Sequence, residues 1–171
     1  PGPSNPTFAG SGQAYGGCSE GIDSSPIHLF SVSGNTIIGN SQGAIASCHY
    51  AGGTFTGNKI LDNGASQPDE YCYCENRTTV VQLKAPMPTG QLTFSNNHLS
   101  GNAGDISFLL VWRSTPGSMT FENNNFADTE TTYAFQPPRT NFSPTSVDIS
   151  NNWWNTTSTT ELDTLMYDWN D

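Results

Sequence analysis

An all-β solenoid of about five stacked coils, closed by a short C-terminal capping helix, is the fold this sequence predicts, and three observations predict it. The first is a recurring unit of the form apolar, two residues, Asn, one residue, apolar. It occurs as Val32/Asn35/Ile37, Phe55/Asn58/Ile60, Phe94/Asn97/Leu99, Phe121/Asn124/Phe126 and Ile149/Asn152/Trp154, with asparagines 23, 39, 27 and 28 residues apart. The second is the residue before each of these asparagines, which is Gly34, Gly57, Asn96, Asn123 or Asn151. Gly and Asn enter left-handed backbone conformations at the least cost, as a chain turning a corner between strands requires. The third is a change of period past Asn155, where Leu162, Leu165, Met166 and Trp169 fall at helical spacing.

Each unit joins two short extended pieces through its corner, and such a piece cannot bury its apolar side alone. Only stacking on the next unit closes a core. The recurring Asn has two readings: a turn residue that bonds its own backbone, or the rung of a ladder bonded to the Asn of the next coil.

In chain order, residues 1–21 read as an extended Gly/Pro-rich arm. The arm is either a frayed terminus or a segment lying on its own coils or on a neighbouring subunit, with Phe8 and Tyr15 as anchors. Residues 22–157 form the stack. The chain enters it through Ile27, Leu29 and Phe30, turns at Gly34-Asn35 and again at Gly39-Asn40, and supplies a third short strand at Ala44 to Cys48. One coil therefore holds three strands and three corners. The second coil inserts Gly64 to Glu75 before a strand at Thr79 to Leu83, and insertions leave solenoids through their corners. Ile106 to Trp112 is the most apolar strand, and a run apolar on both faces must be covered on both, by the core on one side and by an insertion, the arm or another subunit on the other. Residues 158–171 form the cap, with Ser158 and Glu161 spaced as a capping box. Apolar side chains and strand edges left open at a solenoid end give that helix its purpose.

Composition narrows the function classes. The 171 residues suffice for one domain. Five Lys and Arg against fifteen Asp and Glu give a formal charge of -10, which repels a phosphate backbone or an anionic membrane, so neither is an expected partner. No apolar run reaches the roughly 20 residues of a membrane span. The start at Pro1 reads as a processed mature protein or a segment of a longer one.

Cys18, Cys48, Cys72 and Cys74 are an even set in a chain with Asn-X-Thr glycosylation acceptors at Asn76 and Asn155, which favours an oxidising, extracellular setting. Direct pairing of Cys72 with Cys74 makes a small strained ring, so each is expected to reach Cys18 or Cys48, with the connectivity open. Asn141 is a weaker acceptor because Pro144 follows its Ser143. The cysteines lack the paired spacing of a zinc site with His28 or His49. Asp62, Asp69, Glu70 and Glu75 are oxygen donors of the kind calcium takes, but a solvated acidic loop is the preferred reading. No metal and no cofactor is expected beyond N-linked glycans.

With these residues in place the chain resembles the right-handed parallel β-helix family of pectin-lyase-like folds over roughly Ile22 to Asp171. Ile149-Ser150-Asn151-Asn152-Trp153-Trp154-Asn155-Thr156-Thr157 and the helical Glu161 to Asp168 look like the closing unit of extracellular β-helix proteins, with Asn155 where Gly is common. The resemblance implies a single-stranded right-handed parallel β-helix. It leaves function open, because lyases, hydrolases, adhesins and structural proteins share that fold.

The lyases of this family use clustered acidic residues for calcium with an Arg or Lys base, and its hydrolases use paired aspartates with a His. Neither set is recognisable here. Lys59 and His98 share one outward position, which Thr36, Asn125 and Trp153 fill in other units, and no carboxylate pair accompanies them. That position is also too mixed for the flat Thr array of an ice-binding solenoid. Tyr71, Tyr73 or Trp153 can serve as stacking platforms for a sugar, although packing of Trp153 under the cap helix is the preferred reading. The expected function is that of a non-catalytic extracellular structural protein, a subunit or segment of a surface filament or cell-surface assembly. It would associate with itself or other extracellular proteins through the arm and the solenoid ends. Carbohydrate binding, or lyase- or hydrolase-like action on polysaccharide, is the alternative.

Overall fold

A computed structural model describes residues 7–9, 30–46, 52–65, 77–84, 90–111, 118–137 and 147–167. Four times the chain visits three parallel sheets in the same order. The first sheet holds β2 (Phe30–Ser33), β5 (Gly52–Thr56), β8 (Gln91–Ser95) and β11 (Ser118–Glu122). The second holds β3 (Thr36–Ile38), β6 (Lys59–Leu61), β9 (His98–Ser100) and β12 (Asn125–Ala127). The third holds β4 (Ile45–Ala46), β7 (Thr79–Lys84), β10 (Ala103–Val111) and β13 (Glu130–Gln136). The protein is all-β and parallel, with one short helix, α1 (Thr159–Leu165).

The recurring unit sets the register. Val32, Phe55, Phe94 and Phe121 pair rung upon rung in the first sheet; Ile37, Ile60, Leu99 and Phe126 do so in the second. Between them the chain turns through the predicted left-handed residues, at φ values of 66° for Gly34, 65° for Gly57, 55° for Asn96, 56° for Asn123 and 59° for Asn151. A second corner, between the second and third sheets, uses Gly39, Asp62 and Gly101 in the same conformation. A Cβ on Gly101 would meet the carboxylate of Asp62, the movable end of an exposed side chain, so it is the left-handed backbone at φ 66° that favours glycine there.

The inward faces of the three sheets meet in one core. Phe94 is its centre, with ring centroids 4.7 Å from Phe108, 6.5 Å from Phe55, 6.4 Å from Phe121 and 6.5 Å from Phe126. Phe108 stacks on Phe135 at 5.6 Å. Both faces of the most apolar strand, β10, are buried: Phe108 and Leu110 join the main core, while Ile106 and Leu109 form a second cluster on which Tyr133 of the adjoining strand packs, in place of the insertion, arm or second subunit expected there. Gln82 and Gln136 flank Leu109 in register and are also buried, and Gln82 Nε2 and Gln136 Oε1 have no partner.

The first end follows one of the expected readings of the arm, and the second departs from expectation in detail. At the first, β1 (Thr7–Ala9) adds to β3 with Thr7 opposite Thr36, so this part of the arm lies on its own chain. At the second, a partial fifth round contributes single bridges, Asn125 to Trp153 and Phe135 to Met166. The predicted burial of Trp153 under the cap is overturned: Trp153 is 46% exposed, whereas Trp154 is buried and stacks on Phe126 at 4.4 Å. Strand alternation is the reason, since bridging to Asn125 turns Trp153 outward and its neighbour inward, in the phase of the repeat, where Trp154 holds the apolar position.

Leu162, Leu165 and Met166 pack on the core as expected, but Met166 does so from an extended residue beyond the helix. Ser158 Oγ accepts from Glu161 N at 3.3 Å. The reciprocal half of the capping box is relayed: Ser158 N donates to Thr156 Oγ1 at 3.0 Å, and that hydroxyl donates to the Glu161 carboxylate. Trp169 lies outside the described residues.

Candidate functional site

The ladder reading of the recurring Asn holds. Asn35 Nδ2 donates to Asn58 Oδ1 at 3.1 Å, Asn58 to Asn97 at 2.9 Å, Asn97 to Asn124 at 3.1 Å and Asn124 to Asn152 at 2.8 Å. Each of those four backbone N–H groups donates to the same Oδ1. The other Nδ2 hydrogen goes to a backbone carbonyl, as from Asn97 to Phe55 at 2.9 Å. Asn58, Asn97, Asn124 and Asn152 are thus used as acceptor and donor both, and the bonds all point one way, which lets them polarise one another.

A second ladder runs along the other corner through Asn40, Asn63 and Asn102, with steps of 2.9 and 3.0 Å. It ends on a carboxylate. Asp128 Oδ1 accepts from Asn102 N and Nδ2 at 3.0 and 2.9 Å, and its Oδ2 accepts from Ser107 Oγ at 2.8 Å. Asp128 can take this place because it is the last member, with no further amide to supply. Burial pushes its carboxyl above the ordinary value, against the bonds from Asn102 and Ser107 and the charge of His98, which pull it down.

A carboxyl whose folded pKa exceeds its unfolded one binds protons more tightly in the folded chain, so its ionisation destabilises the fold as pH rises. Asp128→Asn keeps the acceptor and removes the charge. Its melting temperature should exceed that of the parent at neutral pH, and the gap should close as pH falls below the usual aspartate range, as read by melting curves across pH.

Outside the core, the row foreseen on the second sheet is present: Thr36, Lys59, His98 and Asn125 align in register, and Trp153 bridges to Asn125. Trp153 N donates to Asn124 O at 2.8 Å and Phe126 N to Trp153 O at 2.8 Å, which hold the indole at the end of the row. Asn125 Oδ1 is buried and without a partner. The row offers one stacking platform, an amide, an imidazole and an ammonium. The carboxylate that His98 acts on by its charge, Asp128, has both oxygens engaged, one by Asn102 and one by Ser107.

The Arg77 guanidinium lies 3.9 Å from the Tyr167 ring centre and 4.8 Å from that of Tyr133, in cation–π contact with two rings that meet edge to face at 5.0 Å, and Tyr133 packs on the buried Ile106 and Leu109.

Cys18, Cys48, Cys72, Cys74 and Asn76 lie outside the described residues, as do Tyr71, Tyr73, Asp69, Glu70, Glu75, His28 and His49. Thr78, the hydroxyl residue of the Asn76 acceptor, is described: its N and Oγ1 donate to Asp105 Oδ2 at 2.6 and 2.9 Å. Asn155 is exposed, at φ 60°. Among the described residues no group of three or more His, Cys, Asp or Glu could hold a metal ion, and no helix is long and apolar enough to cross a membrane. No family model, curated protein or solved structure matches the chain.

Proposed function

We propose that the chain is a right-handed parallel β-helix of the pectin-lyase-like kind, acting as a non-catalytic structural module of an extracellular filament or cell-surface assembly. The cyclic passage through three parallel sheets supports the helical winding, and the strong preference of parallel crossovers supports the right hand. The observation that carries the structural role is the pair of buried amide ladders, which commit the polar groups of both corners to holding one coil on the next.

Strand β1 supports the arm as the connecting element. It adds to an open sheet edge in its own chain, and the same edge chemistry can recruit a strand from a neighbour and so build an open, fibre-forming contact. Negative-stain imaging of the native protein and of a variant lacking Pro1 to Gly17 tests this. Filaments are expected from the native chain and their loss from the variant. Monodisperse native particles, or filaments unchanged without the arm, would overturn the reading.

Exposed Trp153 favours a second reading, glycan binding along the row from Trp153 to Lys59. On a glycan array this reading expects saturable binding that Trp153→Ala abolishes.

A further inference from the structure

The outward position judged too mixed for an ordered-water array belongs to the second sheet, and the first sheet carries the regular one. On either side of the buried row Val32, Phe55, Phe94 and Phe121, strand alternation turns the neighbouring residues away from the core, and all of them but Ser95 reach the surface. One neighbour is Ser31, Thr54, Thr93 and Thr120, four hydroxyls in strict register on successive strands. The other is Ser33, Thr56 and Ser95, with Glu122 on the last strand. Ser31, Ser33 and Thr54 are exposed; Thr56, Thr93 and Thr120 are half-buried; Ser95 is buried, with its Oγ 3.2 Å from Thr56 Oγ1.

We propose that this face binds ice, its two hydroxyl columns serving as a template for ordered water. Adjacent strands stand about 4.8 Å apart, and residues two apart on a strand lie about 6.7 Å apart. Tetrahedrally bonded water with oxygens about 2.8 Å apart repeats about every 4.5 Å along one axis and about every 7.4 Å across it. Both spacings lie within a few tenths of an ångström to about 0.7 Å, and four strands are too few for the mismatch to build into a full repeat.

Two further features suit that occupant. Seven of the eight positions are uncharged in a chain of net charge -10, with Glu122 on the terminal strand, so the face offers neutral hydroxyls, and the threonines add methyl groups, to a neutral lattice. The corner that follows each of these strands carries the Asn35–Asn58–Asn97–Asn124 ladder, which fixes the columns before any ligand arrives. The inference needs only this sheet and its register, and stands or falls apart from the filament role.

The test is partition of the whole chain into slowly growing ice, together with inhibition of ice recrystallisation. Variants are Thr54→Lys and Thr93→Lys on the face, and Lys59→Ala and Trp153→Ala on the second sheet, each first checked for an unchanged circular dichroism spectrum and melting temperature. The parent and both second-sheet variants should be enriched in the ice, and the two lysine variants should lose that enrichment. Exclusion of the parent from ice would overturn the proposal, as would equal loss in the second-sheet variants. Retention of the parent on crystalline cellulose without enrichment in ice would overturn it in favour of a polysaccharide surface.

Discussion

Asn97→Ala should lower the free energy of unfolding by about 3–5 kcal/mol, because each buried polar group left without its partner costs about 1–3 kcal/mol. For a chain of this size that is a fall of about 10 °C in melting temperature. Asn97 is 1% exposed and sits mid-ladder. Its loss strands Asn58 N and Nδ2, which donate to its Oδ1 at 3.0 and 2.9 Å. It also strands the Phe55 carbonyl and takes one donor from Asn124 Oδ1.

Asn97→Asp should cost at least as much at neutral pH. The second carboxylate oxygen would replace a donor that now meets two acceptors, a conflict Asp128 escapes by ending its ladder. Asn96→Gly, one residue away at φ 55°, should be nearly neutral, since Gly enters that conformation freely. Denaturant titration of the three variants separates the ladder from the turn.

Phe94→Ala is the second large effect, at about 3–5 kcal/mol for a buried aromatic truncated in a packed core. Phe94 is fully buried and touches the rings of Phe55, Phe108, Phe121 and Phe126, which come from all three sheets. The space it leaves cannot be closed by one neighbour moving without displacing a strand. Trp153→Ala, a larger loss of bulk at an exposed position, should change stability by no more than about 0.5 kcal/mol. Equilibrium unfolding of both variants, with the denaturant dependence compared to the parent, checks the contrast.

The first ladder, the left-handed corners and the three-strand round were legible because they repeat the same residues in the same places. The second ladder was not, although Asn40 was visible as a corner residue. Its preceding residues vary between Gly39, Asp62 and Gly101, and its last member is Asp128, so no single pattern joins them. The outward Trp153 and the inward Trp154 were legible in the repeat, which puts Trp154 at its apolar position and Trp153 in the outward row beside Asn125; the expected packing of Trp153 under the cap ran against that phase, and the bridge to Asn125 follows the repeat. The hydroxyl columns of the first sheet had a signal in the triplets Ser31-Val32-Ser33, Thr54-Phe55-Thr56 and Thr93-Phe94-Ser95, which flank the very residues that define the repeat. Their regularity appears only when strands distant in sequence are laid side by side.

The central claim is that buried asparagine amides hold successive rounds in parallel register, and side-chain amide hydrogen exchange followed by NMR tests it most directly. The ladder amides of Asn58, Asn97, Asn124, Asn63 and Asn102 should exchange slowly and show contacts to the amide of the next round. Those of the exposed neighbours Asn96, Asn123 and Asn151 should exchange at solvent rates. Equal, fast exchange in both sets would contradict the ladders and the register built on them.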